Sequence, residues 1–271
     1  MSFEVSRAYP ASPKNDHDRR LMQENAQLLM ALFQELHPFI KPGSTGLRIQ
    51  EFCKAFFTRN GLQVLLHGYR GFPADLCISV NEVAVHGLPD LRPFQPGDVV
   101  SIDLAARRGR FCADAAWTWV VPPANPAAVQ LIAAAWQACT AGVRAAGQSR
   151  RISLMGRAVQ ERANALGHVV LPRFGGHGIG RQLHEAPLFA FLDARQGEDL
   201  LADGWVVNVE PVICQGGTQV ELGADGWSWC CPPGVHAAQY ELSLALLPGG
   251  DFTVLNFVNQ DWLKADLPPF Y

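Results

Sequence analysis

The chain has 271 residues, 48% of them apolar and 17% charged, with a net charge of -3. This composition excludes a disordered chain and is enough for one large core or two half-size lobes. Near-neutrality without a long basic run argues against an electrostatic nucleic-acid binder.

Seven cysteines, an odd number with no Cys-x-x-Cys, give neither a disulfide framework nor a zinc finger. They fit reduced, mostly buried thiols in a cytoplasmic protein. Residues 1–20 carry Pro, Asp, Lys and Arg without an apolar core, so they do not read as a signal peptide. The most apolar long run, Ala127 to Val143, is broken by Gln130 and Gln137. It reads as a buried amphipathic helix, and no membrane association is expected.

In chain order, residues 1–15 read as a loose, flexible arm and residues 16–271 as a single domain. Asp16 to Leu36 has apolar residues at helical spacing. Thr45 is placed to cap a second helix that carries Phe52, Phe56 and Phe57 and stops before Gly61. A turn-rich loop from Tyr69 leads into a short strand, Cys77 to Val80. Val99 to Ala106 and Phe111 to Val121 then read as a hairpin. Asn125-Pro126 opens a third helix, running to about Gly147, with Asn as cap and Pro at the first position. Ser153 to Gly167 is a fourth. Strands are expected over Trp205 to Ile213, interrupted at Pro211, over Ala238 to Leu246, and over Phe252 to Val258. Each half therefore runs helix, helix, strands, which hints at an internal duplication. The fold class is α+β, with helices covering a sheet.

The hairpin is the first chemical signal. With Arg108-Gly109 as a two-residue loop, opposed residues have numbers that sum to 217, and Asp103 faces Asp114. Opposed side chains share a face with Cβ atoms roughly 5 Å apart, where like charges destabilise unless a cation lies between them. Alternatively, one Asp points outward at a bulge. His177 stands among four glycines, which allow close backbone approach or positive φ; it is either a site histidine or a solvated turn residue. Glu210 and Glu241 each interrupt a β-branched or apolar run, where an unpaired carboxylate is costly to bury. Either one alone is more often an outward strand residue than a ligand. Together, four carboxylates and one imidazole form an oxygen-rich set suited to Mn, Fe(II), Co or Zn. Their charge matches two divalent cations. His86 and His184 remain as proton donors or oxyanion stabilisers, or else as helix-cap or core histidines.

The ordered set Gly68-Tyr69-Arg70-Gly71-Phe72-Pro73, Cys77-Ile78-Ser79-Val80-Asn81-Glu82-Val83, His86-Gly87-Leu88-Pro89, Gly97 to Asp103, His177-Gly178-Ile179-Gly180, His184-Glu185-Ala186-Pro187, Glu210-Pro211 and Gln239-Tyr240-Glu241 resembles type I methionine aminopeptidases. The resemblance covers about Asp18 to Leu255. It implies the pita-bread fold, a pseudo-twofold sheet covered by helices, as a single catalytic domain over 16–271. It implies that Asp103, Asp114, His177, Glu210 and Glu241 hold two divalent metal ions. His86 and His184 would contact the substrate, and with Glu210 they would be the catalytic residues. Tyr69, Phe72, Cys77, Leu183 and Trp227 fall where such enzymes line the methionine side-chain pocket. The implied reaction is removal of N-terminal methionine from peptides or nascent proteins by a bridging-hydroxide mechanism, in a cytoplasmic monomer of bacterial type.

The chain departs from that pattern around the ligands. Leu242-Ser243 stands for His-Thr, and Ala105 for Thr. Cys112-Ala113 stands for His-Gly, Ala115-Ala116 for Thr-Ser, and Gly204-Trp205 for Gly-Met. Such losses typically lower metal affinity or rate. They leave open a divergent paralogue with an altered substrate or a weakly catalytic peptide-binding role. A proline-directed peptidase of the same fold is a third reading.

Overall fold

Asn15 starts the first helix: its side chain accepts from the Asp18 amide while Asp18 returns the bond, a capping box. The structure, a computed structural model, describes residues 9–191 and 199–270. Helix α1 is Asp16–Leu36 and α2 is Gly46–Arg59, capped by Thr45 as the sequence predicts. Three short strands follow: β1 (Gln63–Val64), β2 (Cys77–Val80) and β3 (Val83–Val85). The hairpin is β4 (Val99–Arg108) and β5 (Phe111–Val120). Then come α3 (Pro126–Ser149), capped by Asn125, and α4 (Ile152–Ala165). The second group of strands begins with β6 (Val169–Val170), β7 (Gly175–Gly178) and β8 (Glu185–Ala190). It continues with β9 (Val206–Val209), β10 (Val212–Cys214), β11 (Glu221–Leu222) and β12 (Trp229–Cys230). The last strands are β13 (Ala237–Gln239), β14 (Leu242–Leu246) and β15 (Phe252–Val254).

The hairpin loop is Gly109-Arg110, not Arg108-Gly109: Arg108 pairs with Phe111, and Asp103 faces Ala116 rather than Asp114. Gly109 takes φ 64° at the first loop position, which favours glycine. The register moves by two, an even step, so both Asp residues stay on one face as diagonal neighbours. The opposite face of β5 carries Trp117. This fully buried ring lies 5.9 Å from Phe33 of α1, 5.5 Å from Trp136 of α3 and 5.2 Å from Tyr240. One hairpin face thus fills the core between α1 and α3, and the other is left for chemistry.

The strand read over Trp205 to Ile213 is broken at Glu210-Pro211, as its expected interruption at Pro211 implies, and the strand read as continuous over Ala238 to Leu246 is broken at Tyr240-Glu241. β9 pairs with β14 in a five-stranded sheet of order β15-β14-β9-β7-β8, whereas β10 pairs with β13 in a three-stranded sheet. The ladder runs through Val209↔Leu242 on one side and Val212↔Gln239 on the other. Between these pairs, Glu210-Pro211 and Tyr240-Glu241 leave the ladder. Pro211 has no amide hydrogen to give it. The freed groups bond to β5 instead. Glu241 N–H donates to Ala116 O at 3.1 Å, Thr118 Oγ1 donates to Gln239 O at 2.6 Å, and Tyr240 O–H donates to Thr118 O at 2.7 Å. These bonds seat the Asp face of the hairpin against both glutamates.

Residues 9–15, expected to be part of a loose arm, are tied down. Tyr9 forms a parallel bridge with Glu185, and Lys14 N–H donates to Gly204 O at 2.7 Å. The rest of that expected arm, residues 1–8, lies outside the described residues. No helix among the described residues is long and apolar enough to cross a membrane.

Candidate metal centre

His177 lies on β7, between β8 and β9. The glycines beside it serve close approach rather than positive φ. An added Cβ would meet Asn208 O at 2.2 Å from Gly176 and Ala186 O at 2.2 Å from Gly178. His177 Nδ1–H donates to Gly178 O at 3.0 Å, which turns Nε2 toward the carboxylates. Nε2 lies 3.3 Å from Glu210 Oε1, 3.6 Å from Asp114 Oδ2 and 3.9 Å from Glu241 Oε1. Ligand atoms of Asp114, His177 and Glu241, all buried, fall within 4.8 Å of one another. Asp103 lies at the diagonal position on β4, outside that group of three but within reach of the charge of Asp114.

The electrostatics of this cluster fit a cation. Burial, and then the charge of Asp114, hold the Asp103 carboxyl well above the usual range. Burial followed by Asp114 does the same to Glu210 and Glu241. Asp114 Oδ1 is buried with no hydrogen-bond partner. A buried carboxylate oxygen left unpaired is costly, and a divalent ion would satisfy it. The donor set of carboxylates and one imidazole suits Mn, Fe(II), Co or Zn.

Two buried amides that sequence reasoning missed hold the glutamates. Asn208 Nδ2 donates to Glu241 Oε1 at 2.8 Å, and Ser243 Oγ donates to Asn208 Oδ1 at 2.7 Å. Gln239 Nε2 donates to Glu210 Oε2 at 3.2 Å. The available signal was a polar residue inside each apolar strand run.

The remaining predicted residues surround the cluster. The His184 ring centroid lies 4.2 Å from that of His177 with the planes tilted by 58°, and its Nδ1 meets the Tyr69 hydroxyl at 2.6 Å. Burial, followed by the charges of His177, Arg70 and His86, lowers the His184 pKa to about 2, so the ring is neutral. A Tyr69 hydroxyl that donates to Nδ1 leaves the ring proton on Nε2. His86, at φ 58°, is solvent-accessible, yet protein strips enough water from its ring to lower its pKa. Phe72, Cys77 and Trp227 share one apolar cluster, with the Phe72 and Trp227 rings edge-to-face at 5.3 Å. Tyr69 and Leu183 belong to the adjoining cluster, and Leu66 touches both. Cys77 faces Asp103 across β2 and β4, and burial keeps its thiol protonated.

A family model described as metallopeptidase family M24 matches residues 20–244. The chain belongs to metallopeptidase family M24.

Among M24 relatives, it is 33% identical over 238 residues to the methionine aminopeptidase of Clostridium perfringens, covering 88% of this chain and 95% of that one. It is 29% identical over 245 residues to methionine aminopeptidase 1 of Bacillus subtilis, covering 90% and 98%. Its fold is similar to the crystal structure of methionine aminopeptidase from Rickettsia prowazekii, with TM-score 0.86, 26% identity, and coverage of 91% and 100%. These matches give the pita-bread fold. The departures of this M24 chain from the aminopeptidase pattern are mostly apolar. Leu242, Ala105, Ala115 and Ala116 are all fully buried. Ser243 keeps a hydroxyl, and spends it on Asn208.

Proposed function

We propose that this M24 metallopeptidase is an aminopeptidase that removes N-terminal methionine from peptides and nascent proteins in the cytoplasm. Two divalent ions would be held by Asp103, Asp114, His177, Glu210 and Glu241. The observation that carries the reading is the convergence of Asp114, Glu210 and Glu241 on the buried His177 Nε2, with Asp114 Oδ1 unpaired. Relatives named methionine aminopeptidase, covered along nearly their whole length, support the substrate. Seven free thiols support a reducing compartment.

The bound ions would supply Lewis acidity, polarising the scissile carbonyl and making water a nucleophile near neutral pH. The chain's own groups do the rest. Glu210 takes the proton of the attacking water and returns it to the leaving amine. Neutral His184 offers its Nε2–H to the oxygen that gains charge, and Tyr69 fixes the ring that does so. His86 positions the leaving nitrogen. Phe72, Cys77, Leu183, Trp227 and Tyr69 form an apolar wall for the methionine side chain, where sulfur–aromatic contacts add about 0.3–1.5 kcal/mol.

The buried apolar departures favour a second reading, a paralogue with an altered substrate or weak catalysis. Metal-stripped protein titrated with Mn, Co and Fe(II) against a Met-Ala-Ser peptide separates the two. Activity that returns with metal and is lost in Asp103→Ala and Glu210→Gln supports the aminopeptidase. Metal binding without cleavage supports the paralogue.

A further inference from the structure

The N-terminal segment passes behind the loop that carries His184. Lys14 Nζ lies 2.6 Å from Glu185 Oε2, and both side chains are only 3% exposed. Ser12 Oγ donates to the same oxygen at 3.1 Å. The other oxygen, Oε1, accepts the amides of Arg181 at 2.9 Å and Gln182 at 3.3 Å, so the loop closes around one carboxylate. On either side of Glu185 the backbone is also held. Tyr9 N–H donates to His184 O at 3.4 Å, and Ala186 N–H donates to Tyr9 O at 2.7 Å. Lys14 itself is fixed from behind: Arg19 Nη1 donates to its carbonyl at 2.5 Å. Gly180 makes room for the strut, since a Cβ there would lie 2.5 Å from Lys14 Cε and from Glu185 Oε1.

A buried ion pair is weak evidence for stability, because desolvating two charges offsets most of their attraction. Here the carboxylate accepts four hydrogen bonds and lies one residue from a ring that must be aimed. We propose that Lys14 is a positioning residue: acting through Glu185, it fixes the 181–186 loop and so aims the His184 imidazole at the cleft. Residues 9–15 are then part of the reaction's scaffold. For its kinetic arm the proposal rests on the aminopeptidase reading of the site.

The test is a double-mutant cycle in the full chain loaded with Mn, using Lys14→Met, Glu185→Gln and the pair combined. Turnover of Met-Ala-Ser, Mn affinity by calorimetry and amide exchange over 181–186 are measured together. Lys14→Met should lower kcat roughly 10- to 100-fold, the scale of a misplaced catalytic group. KM and Mn affinity should stay within about threefold, and loop exchange should speed up. The combined variant should lose no more than the worse single one, because both act through one contact. If Lys14→Met alone does not fold, the combined variant, which buries no unpaired charge, is compared with Glu185→Gln. Wild-type kcat and exchange in Lys14→Met, additive losses, or a shared fall in kcat and Mn affinity would overturn the proposal. If the wild-type chain does not cleave the peptide, the aminopeptidase reading fails and loop exchange alone decides the role of Lys14.

Discussion

Asn208→Ala probes the most deeply buried polar contact of the site. Asn208 is fully buried, with one amide atom on Glu241 and the other accepting from Ser243. Burial favours the neutral Glu241 carboxyl in the metal-free fold, so both bonds are neutral there, and losing each costs about 0.5–1.5 kcal/mol because partners stay buried. A total of about 2 kcal/mol is expected for the metal-free protein. At about 2–4 °C per kcal/mol, the slope of large domains, the melting midpoint falls by roughly 4–8 °C. Glu241 also loses the donor that fixes its rotamer, and metal affinity should drop about 10- to 100-fold. Thermal melts in chelator and at saturating Mn, with calorimetric Mn titration, read both effects. A folded Asn208→Ala protein with wild-type Mn affinity would refute the reasoning.

Other expectations follow from the same geometry. In the metal-free fold, burial raises the carboxyls of Asp103, Glu210 and Glu241, so the folded state keeps protons that the unfolded state releases. Stability of the stripped protein should therefore fall as pH rises above about 4, the ordinary carboxylate value, and saturating Mn should flatten that slope. Urea midpoints between about pH 5 and 8, with and without Mn, test the sign. Metal uptake at pH 7 should release protons, read as a dependence of calorimetric heat on the buffer's ionisation enthalpy. Tyr69→Phe removes the hydroxyl on His184 Nδ1 and should lower kcat by about tenfold with Mn affinity unchanged. Gly178→Ala drives a Cβ to 2.2 Å from Ala186 O, so β7 must move; soluble, active protein would contradict that packing.

Long elements were legible because their signals are local. The caps at Thr45 and Asn125 and the apolar period of α1 place three helices almost to the residue. The hairpin was legible except for its loop, where Gly109 takes the first rather than the second position; the even shift kept Asp103 and Asp114 on one face. The break at Pro211 was legible, whereas the one at Tyr240-Glu241 was hidden, since the bonds that replace the ladder there come from Ala116 and Thr118, more than 120 residues away. Strands of two residues such as β1, β6, β11 and β12 have no period to detect. The polar composition of residues 9–15 read as loose because the partner of Lys14 is Glu185, 171 positions on. All five proposed ligands were named from sequence, but the amides that hold two of them were not. Asn208 and Gln239 look like ordinary strand polars until the folded chain sets Glu241 and Glu210 opposite them.

The double break at the glutamates also separates two design problems. Ladders on both sides of it, Val209↔Leu242 and Val212↔Gln239, clamp Glu210 and Glu241 independently of the chain between Cys214 and Ala237. That excursion carries Trp227, which meets Phe72 on the proposed pocket wall. Its length and side chains can therefore be redrawn without shifting the proposed ligands. The Trp227 side of the proposed pocket is thus housed apart from the proposed ligands, whereas Tyr69 and Cys77 tie its other side to His184 and Asp103.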